Sequence, residues 1–374
     1  MKDSTELYKI QNGEKTILIN DFFINKINFL NFDEDDIDIK ILEHFSRPSL
    51  NEGIVKQLHN LGVKLEENNS KAILKEIKSR YEKIIGGDFP KTIREWIING
   101  TPPSTVNKKN NFNLCILLEM NIEELSQFFL KYFLTIPFNF KSRIDSIYYY
   151  GIKNKKSYSE IAHLIELSKD YNLQDNSNTK TEEILQNNSY FKNDEEFLKY
   201  LKYHCYSSEQ MFHTARNIIA ENIKYLKETL PINSNVGICE NITGYKYKET
   251  PKKSRKELCK EYLRCFPTDQ TLADIVEGKK ESYLTLRKTL IILYFYRYYT
   301  DFFNNCINKE IDINSKIMKS VFYDFEADLN SILNKCGLSS LYFRNPFDQI
   351  IHICALTEDP ILSFHQFNTC CINE

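Results

Sequence analysis

The sequence predicts an all-α protein of many helices, and three observations carry that prediction. Glycine (11) and proline (10) are scarce in a chain of 374 residues, whereas all-β folds and glycine-rich phosphate loops consume turn residues. Apolar side chains recur at three- and four-residue spacing, as in Ile73, Ile77, Tyr81 and Ile84. Capping residues stand in front of such stretches, among them Asn69 or Ser70, Asn121 and Ser142.

The elements follow in order. Within residues 1–50 the alternation in ILINDFFI suits a small extended element, and the acidic run Asp33–Asp38 suits a solvated loop. Helices are expected over 52–66 and 70–85, the second stopped by Gly86-Gly87. A short helix over 92–99 closes at Gly100. After the turn Thr101–Ser104, a helix capped by Ser104 or Thr105 runs to about Met120. Asn121 caps another, with Glu123 and Glu124 in the first turn, where the helix dipole favours acids. Further helices are expected over 142–152 and 157–168. The Asn-rich stretch 171–194 reads as a linker. One long helix is expected over 195–229, ended by Pro231. Residues 231–256, with scattered Gly and Pro and the basic run Lys252–Lys256, read as a hinge. From 257 onward the pattern is helical again. The expected domains are therefore 1–50, 51–170, the linker 171–194, a connecting helix and hinge over 195–256, and 257–374.

Two pairs of segments match in the same order. Residues 140–147 (FKSRIDSI) resemble 343–350 (FRNPFDQI): an aromatic, a cation, a capping residue and then a helix with Asp in its first turn. Upstream, Thr92–Ile97 before Gly100 resembles Thr271–Val276 before Gly278. The pattern suits a diverged internal duplication with an insertion near 300–320 in the second copy.

Composition excludes several classes. With 49 basic and 51 acidic side chains the net charge is -2, which excludes a globally basic nucleic-acid coat protein but not a local basic face. At 42% apolar and 27% charged residues, the chain is globular rather than disordered. The ten Cys include no CxxC pair, and most sit in apolar helical patterns, so buried free thiols are expected. MKDSTELYKI lacks a basic stretch followed by an apolar core, and the most apolar run, LIILYFYRYY, is short and broken by Arg297. These features predict a cytoplasmic protein with no membrane segment. The heavy use of Asn, Ile and Lys suggests an AT-rich bacterial or phage genome. The seven His are isolated, and no phosphate-loop, dinucleotide-binding, zinc-protease or nucleophile-elbow motif occurs. No catalysis, cofactor or metal is expected.

Residues 88–130 contain TIREWIING, TPPST, NLCILLEMN and IEEL. In that order they resemble the later part of a helix-turn-helix domain of the Cro/C1 repressor (XRE) family. With the two upstream helices the resemblance spans about residues 52–133. It implies a helix-turn-helix module ahead of a C-terminal helical domain, and a short recognition helix entering the major groove of duplex DNA. It also implies a homodimer and a role in transcription regulation of a mobile element. Ile93, Trp96 and Ile97 form the anchored stripe, leaving Lys91, Thr92, Arg94 and Glu95 toward the exposed side. Arg reads guanine edges or neutralises phosphate, and Thr meets phosphate or a thymine methyl. Lys108 and Lys109, at the start of the next helix, are expected near the DNA backbone. Residues 137–168 and 338–356 resemble a helical element that follows such domains, with Tyr342–Asp348 as its clearest trace.

Two further basic patches are candidates for phosphate contact: Lys141 and Arg143, and Lys252, Lys253, Arg255 and Lys256. The tyrosine-rich stretches at 148–150 and 294–299 fit core packing between helices. The sequence thus points first to a non-enzymatic DNA-binding regulator. Its rivals are a helical interaction protein acting on a protein or ribonucleoprotein target in phage defence or its inhibition, and an RNA binder using the same basic faces.

Overall fold

The computed structural model describes residues 49–100, 108–171, 191, 193–206, 211–229, 237–243, 266–279, 282–310, 315–342 and 345–373. Among them are fifteen α-helices, one π-helical turn and no strand. The extended element expected near the N-terminus, the cap at Ser104 or Thr105 and the basic run Lys252–Lys256 lie outside the described residues. No described helix is long and apolar enough to cross a membrane.

The chain divides into two compact units at His213/Thr214. In the first, α1 (Leu50–Asn60), α2 (Ser70–Ile84) and α3 (Lys91–Asn99) pack on one another. They are followed by α4 (Lys109–Leu117), α5 (Ile122–Phe128) and a π-turn (Phe129–Phe133). Next come α6 (Arg143–Lys153), α7 (Tyr158–Leu167) and α8 (Asp194–His204). Local chemistry sets these starts. Asn69 accepts the Ala72 amide, Asn121 and Ser157 form capping boxes with Glu124 and Glu160, and Ser142 accepts the Asp145 amide. Each such cap stabilises its helix by about 1 kcal/mol. The core is aromatic: Phe112 stacks on Tyr148 at 4.3 Å, and Trp96 leans on Phe133 at 6.2 Å. Gly53 on α1 meets this core so closely that an added Cβ would lie 2.5 Å from the Tyr132 ring.

The second unit holds α9 (His213–Thr229), α10 (Ile238–Thr243) and α11 (Asp269–Val276). After them come α12 (Tyr283–Asn308), α13 (Ser315–Lys335), α14 (Pro346–Ala355) and α15 (Pro360–Asn373). Its core joins Leu286, Leu290 and Phe295 of α12 to Phe322, Phe325 and Leu329 of α13 and Ile350 and Ile351 of α14, all nearly fully buried. The tyrosines of both aromatic stretches contribute to cores: Tyr148, Tyr150 and Tyr299 are buried. The six described cysteines that are buried are free thiols, at positions 115, 205, 239, 306, 336 and 354. Burial pushes the Cys205 thiol up to about 12.

The long helix expected over 195–229 is broken. α8 ends at His204, and Cys205 turns to an extended conformation (φ -88, ψ 149). The reason is tertiary: the Tyr206 amide donates to the Lys141 carbonyl at 2.9 Å, drawing the chain out of the helix, and Cys205 is buried beside Phe140. The unit boundary at His213/Thr214 lies just after this break.

The segments that match in sequence also match in geometry. α6 and α14 begin 203 residues apart, at Arg143 and Pro346. At the same offset, Ser142 N donates to Asn139 O at 2.7 Å and Asn345 N to Tyr342 O at 2.8 Å. Asn139 N donates to Asp145 at 2.9 Å, and Tyr342 N to Asp348 at 2.8 Å. Leu134 and Gly337, again equivalent, take left-handed φ values of 54 and 67. Each Asp also receives a buried cation. Lys108 Nζ reaches Asp145 at 2.7 Å, and Arg287 grips both oxygens of Asp348 at 2.8 and 2.6 Å. The cation precedes its Asp by 37 residues in the first unit and 61 in the second. The longer α12 and α13 hold the extra length.

Candidate nucleic-acid interface

α3 is short because its ends are fixed. Pro90 supplies an extended residue before it, and Gly100 closes it with a left-handed φ of 61. Ile93, Trp96 and Ile97 are buried, as their spacing requires. The Asn51 side chain on α1 adds a tether, donating to the Ile97 carbonyl at 3.0 Å and to Ser70 Oγ at 3.1 Å. The six residues between α2 and α3 reverse direction on Gly86 and Gly87, with φ values of 77 and 72. Any other residue there would adopt the left-handed region at a cost.

The remaining face of α3 looks outward. Lys91 has 89% of its side chain exposed and sits 3.7 Å from Glu95 one turn on. Arg94 is exposed and has no ion-pair partner among the described residues. Ile98 is 41% exposed on the same side. Lys91 and Arg94 border a hollow of about 700 Å³ that they share with Lys78 of α2 and with Glu82, Asp88 and Phe89. Lys78 lies 3.8 Å from Glu82. Three cations from two helices thus converge on one depression. Two of the three have a carboxylate within 4 Å, and among the described residues Arg94 does not.

The other sequence candidates divide. Thr92 and Glu95 are half-buried at the edge of this face. Lys109 is exposed on the first residue of α4. Lys108, expected near a DNA backbone, points inward: its side chain is 11% exposed and its ammonium is held by Asp145 and the Pro137 carbonyl. Lys141 is buried, with its ammonium over the Tyr206 ring. Arg143 is tied to the Ile165 carbonyl at 3.0 Å and Ser168 Oγ at 2.8 Å, and burial lowers its pKa from the ordinary value. The fold turns these three cations inward: Lys108 meets Asp145 and Pro137, Arg143 meets Ile165 and Ser168, and Lys141 lies over Tyr206. Lys252, Lys253, Arg255 and Lys256 lie outside the described residues.

Sequence reasoning missed Lys78, Glu82 and Asp88. The signal existed in α2, where Lys71, Lys75 and Lys78 recur outside the apolar stripe Ile73–Ile77–Tyr81. What it could not give was the fold of α2 against α3. Comparison with family models, with curated proteins and with solved structures finds no match to this chain.

Proposed function

We propose that the protein is a non-enzymatic nucleic-acid-binding protein whose contact face is the outward side of α2 and α3, with duplex DNA as ligand. One observation carries the reading: Lys78, Lys91 and Arg94 meet around an open hollow while the apolar side of α3 is clamped beneath them. A clamped short helix with cations outward suits groove or backbone contact, and Ile98 beside Arg94 suits a thymine methyl. The interleaved Glu82, Asp88 and Glu95 moderate affinity for bare phosphate and so favour dependence on fit.

Mobility shift on random duplex DNA over a salt series tests this. About three phosphate contacts give a slope of log affinity on log salt near -2.7. Arg94→Ala should weaken binding and shallow that slope by about 1. Glu95→Gln should strengthen binding. Absence of any shift at low salt would sink the reading. The interleaved acids favour one alternative, a helical protein acting on a protein or ribonucleoprotein target through the same mixed-charge face. Undiminished capture of such a target alongside failure to shift DNA would select it.

A further inference from the structure

α2 carries a row of lysines that its own packing does not use. Lys71, Lys75 and Lys78 are exposed, and their spacing of four and then three residues sets them in line along the helix. The row lies off the buried stripe Ile73–Ile77–Tyr81 and ends at the hollow, where Lys78 joins Lys91 and Arg94 of α3. At about 1.5 Å of rise per residue it is about 10 Å long, or about three base steps of B-DNA.

Helix stability does not account for the row. Like charges three and four residues apart repel one another. Lys71 also stands in a first turn that holds no acid, against the positive end of the helix dipole. In the same unit α5, α6, α7 and α8 all carry an acid in that turn. Neither Lys71 nor Lys75 has an ion-pair partner among the described residues.

The surrounding acids leave the charge positive. Glu76 turns to Arg80 at 2.8 Å, away from the row. Glu82 continues the row at its far end, 3.8 Å from Lys78. Glu66 and Glu67 precede the helix, close in sequence to Lys64. Residues 64–95, which contain the whole face, hold eight cations and six carboxylates in a chain of net charge -2. The excess is concentrated in the row, where three lysines meet one glutamate.

We infer that the lysine row of α2 is a phosphate track: Lys71 and Lys75 extend the contact face along the backbone of one DNA strand, beyond the hollow. The inference rests on the duplex-DNA reading of this face and deepens it. Phosphate contacts fix register and orientation but carry no sequence information. α2 therefore positions the duplex, and discrimination between sequences falls to the α3 edge.

The test is mobility shift of the full chain on two short DNA duplexes of unrelated sequence, between about 50 and 200 mM salt. About five phosphate contacts give a salt slope near -4.5 and a loss of affinity of about 500-fold over that range, whereas about three, from the hollow alone, give about 40-fold. The double variant Lys71→Ala, Lys75→Ala should lower the loss to about 40-fold and weaken binding equally on both duplexes. The free variant should melt no lower than the parent, because the like charges on α2 are gone. Lys71→Arg, Lys75→Arg, which keeps the charges, should keep the parent's slope. The inference is overturned if the alanine variant keeps that slope, if its loss of binding differs between the duplexes, or if it melts lower, which would assign the lysines to the fold. Each of those outcomes leaves the reading of the hollow standing, because Arg94→Ala tests it separately. A parent chain that shifts neither duplex at low salt overturns both.

Discussion

The two units solve the same local problem with different cations. Each buries an Asp in the first turn of a helix, Asp145 in α6 and Asp348 in α14, and each gives it a backbone amide from six residues upstream. In the first unit the charge is balanced by Lys108, whose side chain keeps 11% exposure and one ammonium contact to Asp145. In the second, Arg287 is 2% exposed and donates to both oxygens of Asp348 and to the Ser339 and Ser340 carbonyls. Burial alone would lower the guanidinium's pKa, but Asp348 outweighs it and raises it. A planar fork fits a sealed site because each donor finds an acceptor. A lysine, with a more strongly hydrated charge, suits the site that stays near water.

The largest expected effect breaks the sealed clasp. Asp348→Ala leaves Arg287 buried without its counter-charge, and thermal unfolding should show a loss of about 3–5 kcal/mol. Asp145→Ala should cost less, about 2 kcal/mol, because Lys108 can turn toward solvent. Equal losses in the two variants would remove the distinction drawn here. A smaller effect separates the equivalent left-handed positions. Gly337→Ala should destabilise by about 1 kcal/mol in chemical denaturation. Leu134→Gly should change stability by less than about 1 kcal/mol, because relief of the backbone and loss of a half-buried side chain oppose one another.

The smallest expected effect is on pH. Each unit holds a histidine whose pKa burial lowers: His204, stacked on Tyr200 at 4.6 Å, and His365, whose Nε2 faces the Ile242 carbonyl at 2.9 Å. Lowered values mean that the folded chain binds fewer protons than the unfolded chain near their titration. Stability is then intact above the ordinary histidine pKa of about 6.5 and declines as pH falls through it toward the folded values. His204→Gln and His365→Gln should each flatten part of that decline in melting temperature between neutral and mildly acidic pH. For His365 the carbonyl contact works in the opposite direction to burial, which prevails.

Much of this architecture was legible in the sequence. The spacing of Ile93, Trp96 and Ile97 named the buried side of α3, and Gly86-Gly87 and Gly100 marked where the neighbouring helices stop. Asn121, Ser142 and Asn345 named helix starts, because a cap is a contact between residues two or three apart. The outward cations of α3 were legible for the same reason. Lys108, Lys141 and Arg143 were not: as letters they are indistinguishable from surface cations, and only the fold brings Asp145, Tyr206 and Ser168 to them. Lys78 joined the candidate face only once α2 lay against α3.

The sequence by itself thus determined most of the helices, their caps and the inward stripes, all of which depend on neighbours a few residues apart. Tertiary structure decided which charges were taken into the two cores, where the stretch 195–229 breaks, and which surfaces became hollows. Those outcomes depend on groups tens of residues apart in the chain. A buried charge must find its partner wherever the fold supplies one.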